Sequence, residues 1–219
     1  MKIIAKIISV LFHPSLMITY AFILFLIINP YIFGVDRFLL RTPLLFSVIF
    51  LSFLFPGGTV LMMRKLNLIS GITLQNPKER IGPYIAAIIF YLWLYINIRS
   101  NFEIPELFKS LVLGSTISLC LLFFFNNFNK VSAHMAGMTG LSMFTLFLIY
   151  TPHSGMISLS LLSPVFERIP ALLPALVIFC TGLVGYARIE LGVHTLKQIC
   201  GGFMIGLFSQ MIAYIVYFK

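Results

Sequence analysis

Seven long stretches without a charged side chain constrain the fold of this sequence more than any other feature. They cover residues 7–35, 42–63, 81–98, 110–129, 131–166, 169–187 and 198–218. A helix needs about 20 apolar residues to cross the ~30 Å hydrocarbon core of a bilayer, and most of these stretches are long enough. Their apolar residues are continuous rather than alternating, so the pattern predicts transmembrane helices instead of barrel strands.

The composition indicates a polytopic membrane protein with little soluble mass. Charged residues make up 10% of the chain, whereas a soluble domain has about 25%. The net charge of +9 suits contact with anionic lipid headgroups, and no soluble basic face for nucleic acid is present. The three cysteines lie in apolar stretches without a C-x-x-C pair, which predicts neither a disulfide framework nor a zinc site.

We therefore expect an all-α integral membrane protein, with residues 1–219 forming a single transmembrane domain in a bacterial inner membrane. The pattern predicts seven helical segments, or six spans if one of the middle pair is not fully inserted. They lie near residues 5–29, 43–63, 82–99, 107–127, 132–150, 169–187 and 195–217. The first is interpreted as a retained span with a polar kink at His13-Pro14 rather than as a signal peptide. The short segment SGMISLSLLSPVF is expected to lie at the interface or to re-enter the membrane.

An alternating topology brings three polar clusters to one membrane face. With seven spans, residues 78–80, 130–134 and 188–197 all fall on the side where the N-terminus lies. The count of Lys and Arg on the two sides of the membrane depends on residues that are themselves site candidates. Which side of the membrane carries the N-terminus therefore stays open. Convergence of three distant clusters at one depth is what a binding site requires.

The last cluster carries the clearest chemistry. Arginine and histidine beside a span are costly to keep there, which indicates a function. The guanidinium of Arg188 suits phosphate, and the imidazole of His194 suits nucleophilic or acid–base work near neutral pH. Gln198 lies four residues after His194 on one helix face and can reach its ring. Glu190 and His194 share this spacing too, but without a second such pair no metal site is predicted.

Segment ARIELGVHTLKQICGGFMIG resembles the third signature of the type 2 phosphatidic acid phosphatase superfamily, which reads Ser-Arg, five residues, His, three residues, Asp. Segment KVSAHMAG is similar to the second signature, Pro-Ser-Gly-His. Segment NPKERIGPY loosely echoes the first, Lys, six residues, Arg-Pro. The resemblance covers about residues 78–206 and implies the helical core of that superfamily.

This resemblance implies a membrane phosphatase that hydrolyses a lipid phosphate or diphosphate through a phosphohistidine. His194 would attack phosphorus, and His134 would protonate the leaving alkoxide and then activate water. The groups that hold the phosphoryl oxygens would be Arg188, Ser132, Lys78 and Arg80. No metal or other cofactor is implied, and the expected partners are the lipid phosphate and the surrounding membrane lipids.

Gln198 stands where the family has an orienting aspartate. A glutamine carbonyl can fix the imidazole tautomer but cannot stabilise the imidazolium by charge. Either Glu190 or Glu79 supplies that charge, or turnover is low, or the chain is a non-catalytic lipid-phosphate binding or transport protein. A lipid phosphotransferase with the same phosphohistidine chemistry is a further alternative.

Simpler structural explanations exist for several of these residues. Ser132 is a suitable N-cap for a helix that starts at Ala133. Arg188 and Lys197 could be helix-end residues that extend to the interface, and Lys130 is interpreted as an interfacial anchor. Six glycines are expected to permit close helix contact, namely Gly137, Gly140, Gly182, Gly185, Gly202 and Gly206.

Overall fold

The computed structural model describes residues 1–28, 42–71, 74, 76–151 and 169–219. Within these ranges the regular structure is entirely helical. The α-helices are α1 (Lys2–Leu11), α2 (Met17–Ile28), α3 (Thr42–Ile49), α4 (Phe55–Lys65), α5 (Ile81–Arg99), α6 (Glu106–Asn126), α7 (Ala133–Tyr150), α8 (Ile169–Glu190) and α9 (Leu196–Phe218). Short 3₁₀ turns at Pro14–Leu16 and Pro77–Arg80 precede α2 and α5, and a π-helical turn at Phe50–Leu54 joins α3 to α4.

Six helical segments of the described ranges are long and apolar enough to cross a membrane. They are Lys2–Ile27, Thr42–Lys65, Lys78–Arg99, Glu106–Asn126, Leu172–Glu190 and Leu196–Phe218, and the shorter apolar helix Ala133–Ile149 accompanies them. The expected all-helical class is confirmed, and each of the seven predicted segments is helical. These spans are consistent with an integral membrane protein. The segment SGMISLSLLSPVF lies outside the described residues.

The first span is broken at His13-Pro14, as the sequence predicts. Pro14 has no N–H and disfavours a helical conformation in the residue before it. His13 accordingly has extended backbone angles, φ −67° and ψ 135°. The chain then enters the 3₁₀ turn and continues as α2. The break leaves the last carbonyl groups of α1 without intrahelical partners, which makes them available to a neighbouring side chain.

Helix α7 lies in the middle of the bundle, where it packs against α2, α6, α8 and α9. An aromatic cluster joins three of these helices. The ring of Phe25 lies 5.0 Å from Phe144 and 6.3 Å from Phe108 in edge-on arrangements, and all three side chains are fully buried. Because lipid is as apolar as these side chains, close packing rather than water exclusion holds such helices together.

Two glycines let α9 lie directly against the first turns of α7. A Cβ on Gly202 would overlap the carbonyl oxygen of Ser132, and a Cβ on Gly206 would overlap that of Ala136. The expected close contact is therefore confirmed at these positions. At Gly182 no atom of another described element lies within 4 Å of the position that its Cβ would take, so no close helix contact is seen there among the described residues. The α7–α9 contact sets the relative position of the two helix N-termini.

Gly206→Ala should destabilise the bundle by about 1–3 kcal/mol, because the clashing atom belongs to the α7 backbone and cannot move aside. Gly182→Ala is the matched control: it adds the same methyl group in open space and gains helix propensity. Thermal unfolding in detergent measures both. Equal loss of stability in the two variants would contradict the packing described for α7 and α9.

Candidate functional site

The turn between α8 and α9 ties Arg188 to His194 through the backbone. Gly192 has φ +66°, a left-handed conformation that glycine adopts without a steric cost. Its N–H donates to the carbonyl of Ile189 at 2.8 Å, and the N–H of His194 donates to the carbonyl of Arg188 at 3.4 Å. The turn therefore ends α8 and places the imidazole next to the residue that carries the guanidinium.

Gln198 orients the imidazole of His194, and this predicted contact is confirmed. The side-chain Oε1 of Gln198 lies 3.0 Å from Nδ1 of His194 and accepts from the N–H of Thr195 at 3.2 Å. Thr195 and Gln198 form a capping box at the start of α9, and the Thr195 N–H requires an acceptor, so the amide oxygen faces the ring. Nδ1 must then donate, which leaves the lone pair of His194 on Nε2.

His194 is neutral at physiological pH. Its side chain is only 7% exposed, and burial is the main cause that lowers its pKa to about 4. The positive charges of Arg188, Lys130 and Arg80 lower the pKa further, while the hydrogen bond to Gln198 opposes the shift. Nε2 makes no hydrogen bond to any described residue. The ring thus presents a free lone pair beside positive charge.

Arg80, Lys130 and Arg188 lie near enough to this imidazole for their charges to act on it, and we call these three residues the basic cluster. Burial lowers the pKa of Lys130, and the charges of Arg80 and Arg188 lower it further. No carboxylate of the described residues forms an ion pair with any of the three. The Nε of Arg188 is buried and has no hydrogen-bond partner in the described part of the chain. Such a cluster suits an anion with several oxygens.

The first signature region contributes Arg80 rather than Lys78 to the basic cluster. Lys78 is exposed and is not among the charges that act on His194. Arg80 is oriented by a 2.8 Å hydrogen bond from its Nε to the carbonyl of Leu74. Lys130, interpreted from the sequence as an interfacial anchor, belongs to the cluster instead. The position of Lys130, two residues before Ser132 in the sequence, is the feature that could have indicated this.

Ser132 connects the N-terminus of α7 to that of α9. Its backbone N–H donates to the carbonyl of Gln198 at 3.2 Å, and its fully buried hydroxyl accepts from the N–H of Met135 at 3.4 Å. The N-cap explanation is therefore confirmed. A helix N-terminus carries partial positive charge, so α7 adds to the attraction for an anion at this place. A direct contact of the hydroxyl with a ligand stays a prediction.

His134 lies against the broken end of α1. Its Nε2 is 3.0 Å from the carbonyl oxygen of Ser9, and because a carbonyl only accepts, this nitrogen carries the proton. The ring of His13 contacts that of His134 at a centroid distance of 5.4 Å and an interplanar angle of 83°. Arg188 acts electrostatically on both rings. Sequence reasoning recognised the kink at His13 but missed this contact.

The two candidate replacements for the missing aspartate do not reach His194. Oε2 of Glu79 accepts from the hydroxyl of Ser70 at 3.0 Å. Glu190 makes no hydrogen bond to His194 in the described residues, and no carboxylate is among the groups that shift the pKa of that ring. Among the described residues, orientation of His194 therefore falls to Gln198, and no contact there supports the expected orienting role of Glu190.

In the described ranges, no group of three or more His, Cys, Asp or Glu side chains is arranged to hold a metal ion. Comparisons of the chain with protein-family models, with curated proteins and with solved structures find no match. The resemblance to the phosphatidic acid phosphatases thus stays a prediction, and the functional argument depends on the geometry of the site.

The lowered pKa of His194 predicts its reactivity as a function of pH. Diethyl pyrocarbonate modifies neutral imidazole, so the rate at His194, followed by mass spectrometry, should stay constant from pH 8 to about 5 and be halved near pH 4. An ordinary histidine would reach half its rate near pH 6.5. Arg188→Gln removes a charge that lowers the pKa and should move the midpoint upward. A midpoint near 6.5 in the unchanged protein would contradict the described environment.

Proposed function

We propose that this protein is a membrane phosphatase that hydrolyses a lipid phosphate or diphosphate through a phosphohistidine at His194. One observation carries the proposal: among the described residues, three basic side chains without carboxylate partners act on a neutral imidazole whose Nε2 is free. Phosphoryl transfer depends mainly on positioning and on charge stabilisation of the phosphoryl oxygens. The basic cluster supplies the charge, and the capping box of α9 supplies the positioning.

Recognition of the phosphoryl group would fall to Arg80, Lys130 and Arg188. A guanidinium can bind two phosphate oxygens at once. The Nε of Arg188, which has no hydrogen-bond partner in the described part of the chain, is a donor that such an oxygen would satisfy. The N-terminus of α7, with Ser132 as its N-cap, would add backbone dipoles. Binding of a dianion would also relieve the mutual repulsion of the three cations.

In the first chemical step, Nε2 of His194 attacks phosphorus. The N–P bond forms as the bond from phosphorus to the leaving oxygen breaks, and the leaving oxygen takes a proton from His134. Because Nε2 of His134 is bonded to the Ser9 carbonyl, the proton would come from Nδ1. The negative charge of the bound phosphate would have to stabilise the imidazolium form that carries this proton. Positive charge grows on His194 during attack, and the amide oxygen of Gln198 stabilises it as a dipole.

In the second step, water attacks the phosphorus of the phosphohistidine. Nδ1 of His134 takes a proton from the water, the N–P bond breaks, and its electron pair returns to Nε2 of His194. Inorganic phosphate then leaves, and both histidines regain their starting states. Two imidazoles thus divide the work between nucleophile and acid–base catalyst.

The position of the site supports a lipid substrate. The basic cluster lies where apolar spans begin and end, which is the depth of a lipid headgroup. A small apolar groove between α1 and α8 reaches Ala187, the residue before Arg188. It is lined by Met1, Ile4, Ala5, Ile8, Tyr186 and Ala187.

The direct test is phosphate release by the purified protein in lipid bicelles. The panel is phosphatidate, phosphatidylglycerol phosphate, a polyprenyl diphosphate and a lipid A phosphate. We expect release from at least one, an acid-labile phosphoenzyme, and a fall to background in His194→Ala. Lys197→Ala is the control, because this exposed lysine lies outside the basic cluster and its removal should change the rate less than twofold. Equal background in wild type and His194→Ala would overturn the proposal.

The amide at position 198 favours one other function, a lipid-phosphate binding or transport protein without turnover. In serine proteases, replacing the carboxylate that orients the catalytic histidine by an amide lowers turnover about 10⁴-fold. A site of this kind could therefore keep its affinity for phosphate while the chemical step becomes slow. Binding of inorganic orthovanadate without release of phosphate from any of the four lipids would favour this second function.

Gln198→Glu tests whether the missing negative charge limits turnover. Glutamate has the same length and can accept from Nδ1 of His194 and from the N–H of Thr195 as glutamine does, but it adds the negative charge that favours the imidazolium. We expect the pKa of His194 to rise and turnover to increase at least ~10-fold, about 1.4 kcal/mol of transition-state stabilisation. Gln198→Leu, the uncharged control without an acceptor, should lower turnover. No gain in Gln198→Glu would show that orientation without charge already suffices.

A further inference from the structure

The broken end of the first span meets the N-terminal turns of α7, at the residue proposed as the acid–base catalyst. Two groups from this break contact the ring of His134. The carbonyl of Ser9, near the end of α1, bonds its Nε2 at 3.0 Å, and the ring of His13 packs against it at 5.4 Å. His134 is thus held by backbone on one side and by a second imidazole on another.

The break and α7 are fitted to each other by shape. Gly137 lies three residues after His134, on the same face of α7, and a Cβ there would come within 3.2 Å of Pro14 Cα and of Met17 Cγ. Contacts this short leave no room for a larger side chain, so glycine lets the 3₁₀ turn lie directly on α7. The position of His13 relative to His134 is therefore set by packing and not by the two rings alone.

His13 is itself fixed in orientation. Its Nδ1 lies 2.6 Å from the hydroxyl of Ser15, and its ring contacts that of His134 on α7. The interplanar angle of 83° places the two rings edge to face, an arrangement that aromatic rings favour over flat stacking. The other groups that act on His134 are Arg188 and His194.

We propose that His13 is a positioning residue for His134, and that together with the Ser9 carbonyl it holds the ring so that Nδ1 serves as the acid–base atom of the site. A single hydrogen bond at Nε2 would leave the imidazole free to turn about that bond. Contact with the ring of His13 restricts this rotation. The inference rests on the proposed function, because it assigns a role within the same reaction.

The test compares two leaving groups. An alkyl phosphate lipid needs its leaving oxygen protonated, whereas an aryl phosphate such as p-nitrophenyl phosphate releases a stable anion without that help. A variant that displaces the acid, His134, therefore lowers the reaction rate of the alkyl phosphate selectively. General acid catalysis typically contributes about 10²–10⁴-fold to such a rate. His13→Ala should lower the rate of phosphoenzyme formation from the alkyl phosphate about tenfold and leave that from the aryl phosphate within about twofold. Phosphoenzyme formation is followed by rapid quench, because the later hydrolysis of the phosphohistidine uses His134 for both substrates.

Two further variants separate positioning from a general effect on the fold. His13→Phe keeps a ring at the contact and should restore at least about half of the alkyl phosphate rate. In the His134→Ala background, His13→Ala should cause no further loss, because the residue that it positions is gone. An equal loss on both substrates in His13→Ala, no loss on either, or failure of His13→Phe to restore the rate would overturn the inference.

Failure of the proposed function has a different signature, since wild type would then release phosphate from neither substrate. In that case the chemical reactivity of the His134 imidazole still tests whether His13 restrains it. Its modification by diethyl pyrocarbonate, followed by mass spectrometry, should be several-fold faster in His13→Ala than in wild type and near the wild-type rate in His13→Phe. Equal rates in all three proteins would show that the ring of His13 does not restrain His134.

Discussion

Uncompensated positive charge at the end of a membrane bundle is the constraint on which the rest of this structure depends. Arg80, Lys130 and Arg188 lie close enough to lower the pKa of His194 together, and no described carboxylate forms an ion pair with them. Like charges brought together in a partly buried place repel strongly. Tertiary packing must hold them there, and a ligand that carries negative charge would remove the penalty.

The packing that does so is visible around α7 and α9. Gly202 brings the start of α9 against the carbonyl of Ser132, and the hydrogen bond from Ser132 to Gln198 joins the two helix N-termini. The same Gln198 orients His194 through the capping box. The glycine in the helix contact, the capping box of α9 and the orientation of the His194 ring are therefore parts of one local arrangement. A change in any of them alters the position of the imidazole.

Much of the fold could be predicted because the relevant signals are local. Uncharged stretches marked the helical segments, His13-Pro14 marked the break, and the spacing of His194 and Gln198 predicted their contact. The contact of His13 with His134 joins residues far apart in the chain, and neither sequence neighbourhood indicates it. The effect of Lys130 on His194 was missed for a similar reason, since whether the charge of a lysine reaches a given side chain depends on which helices surround it. The open space at Gly182 likewise depends on tertiary placement.

The most direct measurement is a structure of the protein with bound tungstate, a tetrahedral dianion whose heavy atom gives an unambiguous signal. The account predicts one tungstate within hydrogen-bonding distance, about 2.7–3.2 Å, of Arg80, Lys130 and Arg188, with Nε2 of His194 directed at the metal atom. Tungstate bound elsewhere, with the basic cluster empty at saturating concentration, would contradict it.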